Sequence, residues 1–233
     1  PHLDLEADML RHLRDRTDLP VPRVLHAEPD LLVMDHIEHP GGSGWGGHLA
    51  ELLTDLHGVT SADGRFGFGS PTLIGPLRLE NGWSSDWASF YRDDRLLPLV
   101  DEASRRGNLP IDLERRLRNY AGRVDDDLAH GPSASLIHGD VWSGNVLASG
   151  SRVIGLIDPS VAYADPEFEL AFIALFSTGD RAFFERYAER RPIDRAFFER
   201  RVFIYQLFPL LVHVALFGGG YVGQLDGALR RIE

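Results

Sequence analysis

Residues 136–147 read LIHGDVWSGNVL. An apolar lead-in is followed by His138-Gly139-Asp140, four further residues, Asn145 and a second apolar run. Downstream, VLAS (146–149) and RVIGLI (152–157) are short apolar runs joined by Gly150-Ser151, which fits a two-residue hairpin turn, and Asp158 follows the second run. Antiparallel pairing sets the start of one strand beside the end of the other. Asp140, Asn145 and Asp158 are therefore expected to converge at the open end of the hairpin. Two carboxylates and an amide oxygen at one point suit Mg²⁺, a hard cation that shares such ligands with nucleotide phosphates. Asp or Asn alone favours loops for ordinary turn reasons. The constellation around a hairpin is what points to chemistry.

Protein kinases carry the same spacing: His-x-Asp, four residues, Asn, then Asp after the next strand. There the first Asp accepts the proton of the attacking hydroxyl, while the Asn and second Asp hold Mg²⁺ on the phosphates. Two departures stand out. Gly139 replaces the usual Arg, and Asp158-Pro159-Ser160 replaces Asp-Phe-Gly. Losing the arginine that would pair with a phosphorylated activation loop points to a constitutively built kinase for small molecules.

The totals agree with an enzyme domain of ordinary composition. The 233 residues are 43% hydrophobic and 25% charged, enough for a real core. A net charge of −11 argues against binding nucleic acid. There is no cysteine, which excludes thiolate chemistry, and no lysine, since all 24 basic residues are Arg. No uninterrupted apolar run reaches about 18 residues, so no membrane span is expected. Without a signal-like segment, a cytoplasmic location is the expectation. The chain opens at Pro1 in a helix-like pattern without Met, so a preceding segment is expected.

Along the chain, Leu5, Met9 and Leu13 recur at helical spacing, with Glu6 beside them. TDLPVP (17–22) ends that helix, and VLHAE (24–28) and LLVMDHI (31–37) read as strands. PGGSGWGG (40–47) reads as a flexible joint. Its Gly42-x-Gly44-x-x-Gly47 fits a dinucleotide fingerprint formally, but no parallel strand follows. Leu49, Leu52, Leu53 and Leu56 mark a helix, residues 61–86 a long ordered loop, and 87–101 and 111–129 further helices. Helical patterns fill the chain after Pro159. The aromatics of 203–217, and His213 among them, read as core, and Asp125–Asp127 as a solvated face.

HGDVWSGNVL, with LIDPSVAY after it, resembles the fructosamine kinase (ketosamine 3-kinase) family, relatives of the aminoglycoside phosphotransferases. LVMDHI, FGFGSPTLIGP, NGWSSDWASFY and IYQLFPLLVHVALFGGGYVGQ extend the likeness over nearly the whole chain. The resemblance implies an α+β, protein-kinase-like, two-lobed fold. Residues 1–38 would be the remainder of a small β-containing N-terminal lobe and the hinge. Residues 39–233 would be a mainly α-helical C-terminal lobe holding the catalytic hairpin. It implies transfer of the γ-phosphate of ATP, with Mg²⁺, to the 3-hydroxyl of a small-molecule ketosamine. Asp140 would be the base, Asn145 and Asp158 the metal ligands. Met34, Asp35, His36 and Ile37 would form the adenine-reading hinge, and Glu6 would pair with an ATP-positioning lysine expected before residue 1. Trp142 and the NGWSSDW loop, with Trp83, Asp86 and Trp87, would line the sugar–amine pocket. Glu169 stands where the family pattern suggests Asp. Two other readings stay open: a kinase of the same fold for an aminoglycoside, choline or another sugar, and a catalytically inactive kinase-like binding protein. The oligomeric state is left open.

Overall fold

The computed structural model describes residues 2–233. Helix α1 (Leu3–Arg16) buries Ala7, Met9, Leu10 and Leu13, with Asp4 and Glu6 in its first turn and Arg14 and Arg16 in its last, as the helix dipole favours. Strands β1 (Val24–Glu28) and β2 (Leu31–Met34) pair antiparallel beside it. The chain then passes in extended form to α2 (Gly46–Leu56), whose buried face is Leu49, Ala50, Leu53 and Leu56.

The long loop contains one small hairpin, β3 (Thr72–Ile74) and β4 (Leu77–Leu79), turned by Gly75-Pro76. Helix α3 (Trp87–Phe90) runs through a π-helical segment, Tyr91–Leu96, into α4 (Leu97–Arg105). That extra residue per turn sinks Arg95 into the interior. Its guanidinium donates to the Glu80 and Asp94 carbonyls and to Asn81, and stacks 4.5 Å from the Phe90 ring, pinning the loop end to the helix. The single helix expected over 111–129 is two, α5 (Ile111–Ala121) and α6 (Val124–Asp127), broken at Gly122-Arg123.

β5 (Ser135–Ile137) leads into the catalytic loop. β6 (Val146–Ser149) and β7 (Arg152–Leu156) form the expected hairpin, with an irregularity between Leu147 and Ala148. β8 (Ala162–Ala164) then returns to pair with β5. The two paired units hold the loop from both sides. The glycines at 41 and 42 seat on the hairpin turn: Gly41 bonds Ala148 and Gly150 through its backbone, and a Cβ on Gly42 would lie 2.0 Å from the Gly150 oxygen. That close approach explains the glycine there and holds residues 41–42 against the hairpin turn, where a flexible joint was expected.

Helices α7 (Pro166–Leu175), α8 (Arg181–Ala188), a π-helical turn Phe197–Arg201, α9 (Val202–Phe217) and α10 (Gly220–Arg230) complete the fold. Residues Phe197–Phe217 are long and apolar enough to cross a membrane by length and composition, yet most of that stretch is buried within the protein. It is the central core helix, packed against α4, α7 and α10.

Candidate active site

The hairpin and the β5–β8 pair present Asp140, Asn145 and Asp158 to one place. Asn145 is buried, and its amide nitrogen donates to the Asp140 backbone carbonyl at 2.9 Å and to Asp140 Oδ2 at 3.0 Å. Its nitrogen is thus committed, which leaves the amide oxygen as the atom it can offer a cation. Asp158 has φ +56°, a left-handed conformation costly for a non-glycine residue. Strain of that kind is tolerated where the surroundings enforce it, here directly after β7 and before buried Pro159.

Helix α1 adds a third carboxylate. Met9 sulfur accepts the Val161 N–H at 3.3 Å, docking α1 on the segment after Asp158. One turn earlier, Glu6 joins Asp140 and Asp158 around a cavity of about 360 Å³ in which His2 is the only basic group among the described lining residues. Burial is the main cause that raises all three acids. The Asp158 charge adds to the rise for Glu6 and Asp140, and Asp140 is pushed up to about 7. Acids whose ionised forms are disfavoured in this way would be stabilised by a cation placed among them. Two carboxylates and an amide oxygen are the hard donors Mg²⁺ prefers, so the residues fit that ion. Glu6 makes no ion pair among the described residues.

A second cavity of about 440 Å³ adjoins the first and shares Gly75, Pro76, Asp140 and Asp158 with it. Trp142 forms one wall. Its ring lies over Gly144, where a Cβ would come within 2.2 Å of the indole. We therefore expect Gly144→Ala to displace the ring and to raise about tenfold the KM of the substrate that occupies this cavity, with the KM of any other substrate changed little; steady-state kinetics with each substrate varied checks this.

Behind the loop stands a buried column. Glu169 Oε1 accepts the Gly139 N–H at 2.6 Å, and its Oε2 meets His57 Nε2 at 2.8 Å. His57 Nδ1 in turn meets the Tyr187 hydroxyl at 2.7 Å. Glu169 therefore supports the catalytic loop directly in the place where Asp was expected. His138 is fully buried and its basicity is depressed to about 4 by desolvation; its Nδ1 accepts the Asp140 N–H at 3.3 Å. It orients the loop and is poorly suited to be a base.

Several expected residues lie elsewhere. Trp87 is only 2% exposed and its indole N–H donates to the Tyr205 hydroxyl, so it packs in the core and lines neither cavity. Asp86 caps α3 by accepting the Ser89 N–H. Trp83 borders a separate surface groove, under the Arg65 guanidinium and beside Tyr163. The NGWSSDW loop thus forms no wall of the cavities at Asp140. The hinge residues are expected at adenine and not at the carboxylates: Met34 closes β2, Asp35 pairs with Arg23 at 3.2 Å, Ile37 lies against Gly155 on β7, and neither these nor His36 lines the carboxylate cavity. Conversely, His213 is half-buried and faces the second cavity with Phe172, Phe176, Phe217 and Tyr221. Core burial was expected for it. The usable signal was the aromatics on either side of the glycine run 218–220, which ends α9 at the cavity mouth.

The weakened acidity of Asp140, its group pushed up to about 7, gives a signed stability effect. Between about pH 4 and 7 the folded chain holds a proton that the unfolded chain has lost, so this group's contribution falls as pH rises. Without nucleotide or divalent cation, Asp140→Asn should melt about 3 °C above wild type at pH 8. The gap should close toward pH 4. A pH series of paired thermal melts checks it.

This architecture is that of the protein-kinase-like phosphotransferases. An aminoglycoside phosphotransferase solved with ADP superposes with a TM-score of 0.64 at 13% identity, over 99% of this chain and 82% of that one. A structure of a putative fructosamine-3-kinase from Thermobifida fusca matches with a TM-score of 0.88 and 30% identity, over 98% of this chain and 79% of that one. Among curated proteins, a probable ketoamine kinase of Staphylococcus aureus is 30% identical, covering 94% of this chain and 77% of its own length. The ketosamine-3-kinase of Mus musculus is 30% identical over 87% and 72%.

The fructosamine kinase signature matches residues 2–233, and the chain belongs to that family. It is a kinase that uses ATP and a hydroxyl acceptor.

Proposed function

We propose that the chain transfers the γ-phosphate of ATP to the 3-hydroxyl of a ketosamine, with Mg²⁺ held by Asn145 and Asp158. The observation that carries this reading is the shared wall of the two cavities. Asp140 and Asp158 border both, so a phosphoryl group on the Glu6 side and a hydroxyl on the Trp142 side would meet at Asp140. The acceptor oxygen attacks the γ-phosphorus while its proton passes to the Asp140 carboxylate. The bond to the bridging oxygen breaks, and ADP leaves with that electron pair. Bound Mg²⁺ would neutralise charge on the phosphates. Glu6 would hold a cationic group against the nucleotide, and Met34 to Ile37 would read adenine as the hinge between residues 1–38 and the lobe formed by 39–233. A cytoplasmic location accords with dependence on ATP.

The test is ATP consumption with Mg²⁺ and a fructosamine or ribulosamine, beside an aminoglycoside and choline. Turnover of the ketosamines alone is the expected result. Turnover of another acceptor would keep the kinase and discard the ketosamine, and silence with ATP still bound would favour an inactive binder. We further expect Asp158→Ala to weaken Mg²⁺-dependent nucleotide binding at least about tenfold, because one of few hard ligands is removed. An unchanged Mg²⁺ titration would remove Asp158 from the ligand set.

A further inference from the structure

The cavity on the Trp142 side has an unusual charge pattern for a site that takes an amine. Apart from Asp140 and Asp158, which face the phosphoryl transfer, no carboxylate or arginine lines it. Its remaining walls are apolar or aromatic, built by the β3–β4 turn, α7, α9 and the start of α10. His213 is its one imidazole. The Nδ1 of His213 lies 2.8 Å from the Pro209 carbonyl one turn back, so that nitrogen bears the proton and donates there.

The mouth is aromatic as well. Phe217 ends α9 with 66% of its surface exposed. Gly218 and Gly219 then reverse the chain at φ +59° and +58°, a conformation that favours glycine. Tyr221 returns across the turn, its ring 6.1 Å from that of Phe217 and 4.7 Å from His213. A large exposed phenyl contiguous with an apolar cavity marks surface that a ligand can cover.

Such walls discriminate by what they fail to offer. A polyamine sugar brings several ammonium groups, and a lysine-derived ketosamine brings a zwitterionic amino acid at the far end of its side chain. Away from Asp140 and Asp158, which face the phosphoryl transfer, each charge that enters loses water and meets no partner of opposite charge among the lining residues, which is costly. An apolar substituent loses nothing and covers Phe217 and Tyr221. The single ammonium next to the sugar can lie against the Trp142 face.

Resting on the ketosamine reading above, we infer that the acceptor carries an uncharged aromatic or branched aliphatic group on its amine nitrogen, selected by Phe217 and Tyr221. The experiment uses acceptors that share one sugar: fructose linked to benzylamine, to isobutylamine, and to the side-chain nitrogen of free lysine. The benzyl and isobutyl compounds should exceed the lysine compound by about 10- to 100-fold in kcat/KM, the range set by burying one such group. Phe217→Asp, at an exposed position where the fold tolerates polarity, should reduce that ratio at least about fivefold, with an unchanged melting temperature showing that the fold is intact. Equal kcat/KM for all three, a preference for the lysine compound, or a ratio unaffected by Phe217→Asp would overturn the inference and leave the ketosamine kinase standing. No turnover of any of the three, with ATP bound, would instead overturn the ketosamine reading, and this inference with it.

Discussion

Replacing Asp140 by Asn should lower kcat about 10³-fold or more, while the Kd for ATP with Mg²⁺ should change less than about threefold. The magnitude is that of removing a positioned proton acceptor. The asymmetry follows from the geometry. Asn is isosteric, its oxygen can still take the Asn145 amide hydrogen bond, and the metal ligands proposed above are untouched. What is lost is the carboxylate proposed to receive the hydroxyl proton. The acidity of Asp140 sharpens the expectation: with its group pushed up to about 7, a free chain at neutral pH is a mixture of protonated and ionised forms. Cation and nucleotide binding should draw it toward the ionised, proton-accepting form. Single-turnover rates beside nucleotide titrations check both halves. Retained turnover in the variant would remove Asp140 from the chemistry.

Gly139→Ala should be the most destabilising single methyl group in the chain's loops. The backbone there has φ +85°, and an added Cβ would lie 2.0 Å from the Ser160 carbonyl oxygen, a backbone atom with no freedom to swing away. Left-handed strain and overpacking together cost about 3 kcal/mol or more, or roughly 6–12 °C in Tm for a chain of this size. Gly107→Ala and Gly131→Ala provide the control, because both glycines have positive φ but no atom within 4 Å of the added carbon. They should lose only the conformational part, about 1 kcal/mol. Chemical denaturation of the three variants separates contact from conformation, and equal losses in all three would contradict the close approach. The same geometry revises the reading of Gly139. No side chain fits between the loop and Ser160, so the missing arginine follows from packing of the backbone and need not be explained by regulation.

The catalytic hairpin was legible because its information is local: two apolar runs, a Gly-Ser turn and polar residues at the open end. Helix α1 was legible for the same reason, through Met9 and Leu13. The β5–β8 pair was not, since each strand is three residues long and its partner lies beyond an entire hairpin. Trp83 and Trp87 could not be told apart by their neighbours, as both sit among Ser and Asp. What separates them is Tyr205, 118 residues away from Trp87, which offers a hydrogen-bond partner deep in the core. The break at Gly122 shortened a helix whose apolar spacing ran on past it. The second cavity was the least legible part. Its walls come from five separate stretches, 74–76, 140–142, 158, 172–176 and 209–221, and α9 carries so many apolar residues that its cavity-facing side has no distinct pattern.

The column behind the catalytic loop has a bearing on how the chain acquires activity during folding. Its contacts span 30 residues from Gly139 to Glu169, 112 from His57 to Glu169 and 130 from His57 to Tyr187. Pairings this distant close large loops and form late in a search that rewards near neighbours first. The hairpin can assemble early, but the N–H that anchors its loop waits for α2, α7 and α8 to meet. Recovered turnover after dilution from denaturant should therefore lag the return of helical signal. An enzyme assay would then report the last step of assembly.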